Sequence, residues 1–341
     1  MPPTLNNFQT NQTKISLLKK WHFVIFSLSL LVIAACTWGL YHAEQIRDWY
    51  ILETYKPTPA VVALANEDTM TSYAKQLFYV NRPSLDNKPT FANNCPEGID
   101  NTYVIGCYHT GDRGIYLLNV QDSRLNGIVS VTAAYEMLHA GYARLSNKQK
   151  TELDKQMWSF YLANVKSTEI HQQMASYALT EPGAKYDELY SVLATEVTNL
   201  PPSLNNAYSL YFTNRAKIVS MYDGYQAAFN KRQSQIKQDD ANLKLLKNSI
   251  ASNESRLNLM YTQIINLRNI LNQEKANNQI SSYNSGVVSY NNLANTYNSL
   301  IIQTKIQINS YNNLVNQRNA LAISEKQLIQ ELNSSSLPSK V

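Results

Sequence analysis

Between Trp21 and Tyr41 the chain carries no Asp, Glu, Lys or Arg. About 20 such residues are what a helix needs to cross the hydrocarbon core of a bilayer. Trp21, Trp38 and Tyr41 stand at the two ends of the run, where aromatic rings favour the membrane interface. This segment constrains the chain more than any other, because it predicts a transmembrane helix over 21–41. Residues 1–20 contain Lys14, Lys19 and Lys20 and no acid. The positive-inside bias therefore predicts a cytoplasmic N-terminus and places residues 42–341 outside the cytoplasm.

Two competing interpretations lead to the same compartment. A cleavable signal peptide has a shorter apolar core, about 7–15 residues. Ile33-Ala34-Ala35-Cys36 looks like a bacterial lipoprotein cleavage site, although the apolar run continues past Cys36 to Tyr41.

Beyond the anchor, Val61, Val62, Leu64, Ala65, Ala74, Leu77 and Phe78 recur at helical spacing up to Pro83. Residues 84–101 are rich in Asn, Asp, Pro and Gly and read as loop. Short strands are predicted over 103–108 and 115–120, joined by a turn at Gly111-Asp112-Arg113-Gly114. From Ile128 onward the pattern is helical. Ser146 and Gln149 have capping-box spacing. A further helix is predicted over 185–198, ended by Leu200-Pro201-Pro202, with Ser203 capping a much longer one.

The last third changes character. Ile236, Leu243, Ile250, Leu257, Ile264 and Leu271 are spaced by seven, and Leu246, Met260 and Leu267 lie three residues after members of that series. Sustained a/d heptads predict a coiled coil. Asn277-Asn278 and Gly286 interrupt the pattern. A second heptad series follows, with Tyr283-Asn284, Tyr290-Asn291, Tyr297-Asn298 and Tyr311-Asn312 in register. Two series flanking a break predict an antiparallel hairpin closing near 277–286, with Leu257 and Leu314 close together. A kinked parallel dimer is the alternative. The Tyr-Asn repeat reads as boundary packing, with a carbohydrate-binding stripe as the other possibility.

Composition excludes several functions. Charged residues make up 16% of the chain, and the net charge of +5 is spread along it. No Lys/Arg cluster has the density that nucleic-acid binding needs. With 10 Gly and no phosphate-cradling loop, nucleotide chemistry has no support. Three cysteines are too few for a disulfide scaffold or a four-Cys zinc site.

One constellation could carry chemistry. Tyr135-Glu136-Met137-Leu138-His139 is one residue short of His-Glu-x-x-His, in which two His one turn apart bind zinc and the Glu activates the bound water. At about 100° per residue, Tyr135 and His139 share a stripe with Ile128, Val131, Leu138, Tyr142 and Leu145. An inward Tyr and His equally suit a plain core.

The neighbouring segments widen this motif. They comprise Cys95, Ile105-Gly106-Cys107-Tyr108, Ile115-Tyr116, Arg124-Leu125-Asn126-Gly127-Ile128 and Thr132-Ala133-Ala134-Tyr135-Glu136-Met137-Leu138-His139-Ala140. Further on come Glu188-Leu189-Tyr190-Ser191, Thr195-Glu196, Leu200-Pro201-Pro202-Ser203-Leu204 and Tyr211-Phe212-Thr213-Asn214-Arg215. Over residues 57–220 this resembles a zincin-type metalloprotease family of membrane-anchored proteins from reduced-genome bacteria. The resemblance implies a zincin-like fold, with an edge strand beside the motif helix. It also implies a metallopeptidase site with Glu136 as the base and His139 as a ligand. The family has His where this chain has Tyr135 and Tyr190.

The third ligand of such sites comes from a downstream helix. Glu196 falls within the apolar arc of Leu189, Val192, Leu193 and Leu200 and is the expected ligand. Glu188 falls outside the arc and reads as solvated, though it remains the alternative. Tyr135 removes one ligand, and a phenol of pKa about 10 must lose a proton before it binds zinc. His139 and Glu196 alone would hold zinc poorly, so less than one zinc per chain is expected. His22, His42, His109 and His171 read as surface or packing residues. Cys95 and Cys107, in an oxidising compartment and near a loop and a strand, are expected to be disulfide-bonded.

The expected architecture is mainly α with a small β-sheet. It comprises a cytoplasmic N-terminus (1–20), an anchor (21–41), a zincin-like α+β domain (57–202), a coiled-coil hairpin (203–333) and a disordered tail (334–341). The expected function is that of an extracytoplasmic, catalytically impaired metallopeptidase homologue. Its partners would be the membrane, a peptide or envelope protein, and another copy through the coiled coil. An active zinc peptidase and a purely structural envelope spacer are the other possibilities.

Overall fold

The computed structural model describes residues 9–95, 104–111, 114–180 and 183–333. The expected tail and the middle of the Gly111–Gly114 turn lie outside the described residues. Helix α1 (Gln9–Tyr41) leads through His42 into α2 (Ala43–Thr54). Its stretch Trp21–Tyr41 has a mean hydropathy of 2.3, is not buried against protein, and is long and apolar enough to cross a membrane. Backbone bonds from His42 N to Trp38 O and from Ile46 N to His42 O, both 2.9 Å, carry the helical pattern across the junction.

The globular part begins with α3 (Pro59–Glu67) and α4 (Ser72–Val80). The helical spacing up to Pro83 is carried by two helices, because the chain breaks at 68–71. Thr69 takes a positive φ of 53°, and Thr71 caps α4 by accepting from Ala74 N. The break has a tertiary cause. Thr71 N donates to Tyr211 O and Thr213 N to Thr69 O, so this segment pairs with the chain just before the long helices.

Residues 84–94, expected as loop, contain strand β1 (Ser84–Asp86) and helix α5 (Lys88–Asn94). Asn87 caps α5 with its side chain, and Pro89 sits in the first turn, where a missing N–H costs nothing. Strands β2 (Gly106–His109) and β3 (Gly114–Leu118) pair antiparallel as expected, a little shorter than predicted. β1 joins β3 in parallel, giving the order β1-β3-β2 with β2 at an edge.

Helix α6 (Ile128–Ala143) is the centre of the domain and is buried on nearly all sides. Gly127 starts it at φ 91°. A Cβ there would also lie 2.9 Å from the Met221 side chain, so glycine suits both the conformation and the close approach. Against α6 pack α3, α4, the sheet and α9 (Lys185–Glu196), and α7 (Asn147–Asn164) and α8 (Thr168–Thr180) pack on α9, with the short α10 (Pro202–Tyr208) following. The expected capping box of Ser146 and Gln149 opens α7. The sequence expectation that Ser203 caps the long helix is corrected. Pro202 opens the short α10, and α11 (Arg215–Ala276) starts at Asn214.

α11 and α12 (Ile280–Leu332) are joined at 277–279 and run back along one another. Asn253 Nδ2 donates to Gln307 Oε1 at 2.9 Å, Gln307 Nε2 to Ser249 Oγ at 3.0 Å, and Arg318 Nε to Asp240 Oδ1 at 2.9 Å. This register puts Leu314 beside Leu246, the two lining one cleft. Leu257 lies 11 residues further along, about 16 Å at 1.5 Å per residue, so the expected 257/314 proximity is corrected. Tyr283, Tyr290, Tyr297 and Tyr311 are half-buried. The far end of α12 returns to the domain, where Leu328 and Leu332 pack on Leu125 and Ile128.

Candidate functional site

The site lies between α6 and the N-terminal half of α9. Both ends of α9 are fixed by contacts outside the helix. At its C-terminus the Arg215 guanidinium donates to the carbonyls of Ala194 (3.1 Å), Val197 (2.6 Å) and Thr198 (2.6 Å). A cation on the last carbonyls of a helix satisfies orphan acceptors and complements the dipole. Asp187 and Glu188 occupy the first turn, where negative charge is favoured. Ser191 Oγ donates to Tyr135 O at 3.1 Å and ties α9 to α6 midway.

Tyr135 and His139 both face this seam, as their spacing predicts. The Tyr135 hydroxyl donates to Glu188 Oε2 at 2.5 Å and lies 3.3 Å from the Tyr177 hydroxyl of α8. His139 Nδ1 is 2.8 Å from Asp187 Oδ1, and Nε2 is 3.7 Å from Glu188 Oε1. The two rings meet edge-on with centroids 5.1 Å apart. Glu136 is 6% exposed and packs beneath the edge strand. A Cβ on Gly106 of β2 would fall 2.9 Å from Glu136 Oε1 and 2.5 Å from Thr132 Cγ2, so only glycine lets the strand approach α6 this closely.

The protonation states follow from these contacts. Burial holds the Tyr135 phenol well above its ordinary value of 10.0, and the neighbouring Tyr177 and Glu188 push the same way. Burial alone would lower the His139 pKa, but the Asp187 hydrogen bond and the charges of Glu188, Asp187 and Glu136 outweigh it and raise it to about 10. His139 is therefore an imidazolium at neutral pH, clamped between two carboxylates.

Glu188, rather than Glu196, joins this cluster. Glu188 is 6% exposed, against the expectation that it is solvated. An apolar arc marks an inward side only where the rest of the helix meets water, and every residue of α9 from Glu188 to Thr195 is buried. A helix enclosed on all sides has no solvent arc. Glu196 lies eight residues on, about 12 Å along the axis. It accepts from Gln173 Nε2 at 3.1 Å, and burial pushes its pKa up to about 7. Tyr190, where the similar family has His, sits 1% exposed in an aromatic core, with ring contacts to Tyr142, Tyr208 and Tyr211. Asp187 and Tyr177 went unrecognised in the sequence. For Asp187 the available signal was an acid beside Glu188 in a first turn; for Tyr177 there was none.

The zinc that the family resemblance implies does not fit these residues as they stand. The Tyr135 hydroxyl keeps its proton and is hydrogen-bonded to Glu188. His139 Nε2 and Glu188 are two donors, and no third His, Cys, Asp or Glu donor converges with them within 4.8 Å among the described residues. Among the described residues, the one trio of His, Cys, Asp or Glu donors converging within 4.8 Å is Cys95, Cys107 and His109, away from this seam. Cys95 and Cys107 form a disulfide, as expected, with Cα atoms 5.9 Å apart. No known protein family, curated protein or solved structure matches the chain.

Proposed function

We propose that this chain is a membrane-tethered extracytoplasmic protein whose globular domain keeps a metallopeptidase-type scaffold without peptidase chemistry. Its role is to bind or position a peptide segment or envelope protein. The observation that carries this proposal is the Tyr135–Glu188 hydrogen bond. It joins the two motif helices directly, where a peptidase of the similar family would join them through a metal. The close passage of β2 over Glu136 at Gly106 supports the same scaffold, since the resemblance implies an edge strand beside the motif helix. The apolar helix Trp21–Tyr41 supports membrane attachment, and the lysines before it support a cytoplasmic N-terminus.

On this proposal α11 and α12 form a coiled-coil arm. Along it, the heptad residues Leu243, Ile250, Leu257 and Ile264 are half-buried, as expected when a single partner helix covers one seam. From Tyr225, which packs at the Leu328 end, to the turn after Ala276 the pair extends about 75 Å at 1.5 Å per residue. That length suits holding a partner away from the membrane.

Metal content tests the proposal. Full-length protein purified in detergent should carry clearly less than one zinc per chain by elemental analysis. Tyr135→His restores a one-turn imidazole pair beside Glu188 and should raise zinc affinity at least about tenfold. Stoichiometric zinc in the unaltered chain, with peptide cleavage lost in Glu136→Gln, would overturn the proposal in favour of an active peptidase.

A further inference from the structure

We propose that Cys95, Cys107 and His109 form a redox-gated metal site: once the disulfide opens, two thiolates and one imidazole bind a single Zn2+-like ion. A disulfide needs no histidine beside it, yet His109 Nε2 lies 3.3 Å from Cys107 Sγ. One donor atom from each of the three residues falls within 4.8 Å of the others. Ligand atoms on a tetrahedral zinc lie about 3.5–3.8 Å apart, given Zn–S of about 2.3 Å and Zn–N of about 2.0–2.1 Å, so small side-chain rotations bring these three donors to that spacing once the S–S bond opens.

Elements of the fold hold the three residues independently of the S–S bond. Cys95 ends α5, with its N–H on Phe91 O at 2.7 Å. Cys107 and His109 lie two apart on β2, so their side chains leave the same face of the strand, and the ladder pairs them with Tyr116 and Gly114 of β3. Cys95 is 1% exposed, packed with Phe91 and Leu118. Cys107 and His109 are half-buried, which leaves an approach for an ion. The Asn94 carbonyl oxygen lies 2.9 Å from His109 Nε2 and 3.8 Å from Cys107 Sγ.

The chemistry balances with a dithiol reductant. Two electrons and two protons pass from the dithiol to the Cys95–Cys107 bond, giving two thiols and a cyclic disulfide. Binding of the ion then releases the two thiol protons to water. The imidazole in its Nδ1–H form contributes the Nε2 lone pair and gives up its contact with Asn94. With the disulfide closed, both sulfurs are committed and the site is off.

Cobalt is the probe, because thiolate-to-Co2+ charge transfer reports the ligands directly. The full-length chain carrying Cys36→Ser, in detergent, should show no such band when oxidised. After reduction with a trialkylphosphine it should bind one Co2+ per chain with a tetrahedral thiolate spectrum, and Zn2+ should displace the cobalt. His109→Ala should weaken binding at least about tenfold, with far-UV circular dichroism unchanged. A reduced chain that gives no thiolate–cobalt band, whether or not it stays folded, overturns the proposal. So does a His109→Ala variant that binds as tightly as its parent.

Discussion

At Tyr135 a single side chain changes the chemistry available to the seam. A phenol is longer than an imidazole, so its oxygen reaches Glu188 across the gap between α6 and α9 without a bridging ion. A hydrogen bond to a charged acceptor contributes about 1.5–3 kcal/mol, enough to make the contact a latch between helices. His139 completes it through charge. Its pKa rises from 6.5 to about 10 on folding, because the hydrogen bond and charges of its carboxylate neighbours overcome the cost of burial. A folded-state pKa above the unfolded one contributes stability that is complete below about pH 6.5 and fades as pH climbs, vanishing above about 10. His139→Gln should therefore destabilise the protein most at pH 6, and the gap to the unaltered protein should narrow steadily toward pH 10. Urea denaturation at a series of pH values checks this, and a gap that stays constant across the window would mean that folding leaves the His139 pKa unchanged.

Among the elements, α6 and α9 show where periodicity is informative and where it is not. The motif helix was legible because a one-turn spacing puts Tyr135 and His139 on one face regardless of what surrounds them. On α9 the pattern is less informative, because an apolar arc marks the inward side only when the other side meets water. α9 is enclosed from Glu188 to Thr195, so Glu188 is buried along with its apolar neighbours. The heptads of the last third likewise defined two long helices but not their relative stagger. That is decided by polar pairs inside the seam, of which Asn253 with Gln307 is the best covered, Asn253 being 6% exposed. Buried amides specify register because any other alignment leaves them without partners. Ser249→Cys with Gln307→Cys should accordingly join within one chain through a short bifunctional thiol reagent, in a Cys36→Ser background, and Leu257→Cys with Leu314→Cys should not. Non-reducing electrophoresis distinguishes the two, and a 257/314 crosslink would show that the register is wrong.

The whole molecule is tied together at two places remote in sequence. Arg144, just after α6, pairs with Asp48 of α2 at 2.8 Å and lies 3.6 Å from Glu44, so the domain is held close to where the apolar helix ends. At the other end Leu328 is fully buried against Leu125 and Ile128, and Lys88 donates to Gln330 O at 2.7 Å. The long arm is thus clamped at its base by both of its helices. Leu328→Ala should cost about 2–5 kcal/mol, as buried Leu truncations do. Hydrogen exchange should localise the loosening to the last turns of α12 and the start of α6. Protection that falls uniformly over the arm, with no change near Ile128, would show that the clamp is not where the structure places it.

Composition and periodicity by themselves determined the long apolar stretch at 21–41, the helical character, the strand pair and the presence of two long helices, and two cysteines 12 residues apart gave the Cys95–Cys107 bridge. Each depends on residues near in sequence or on bulk hydrophobicity, which a linear pattern records. Tertiary structure alone decided that β1 and α5 occupy the stretch 84–94, that α3 and α4 are separate, and that Glu188 with Asp187 faces His139. Those outcomes depend on what packs against each segment from elsewhere in the chain: β3 against β1, the 211–213 segment against 69–71, and the surrounding helices against α9. A buried carboxylate is stable only where distant partners supply its hydrogen bonds and countercharge, and no local spacing reveals which distant residues those are.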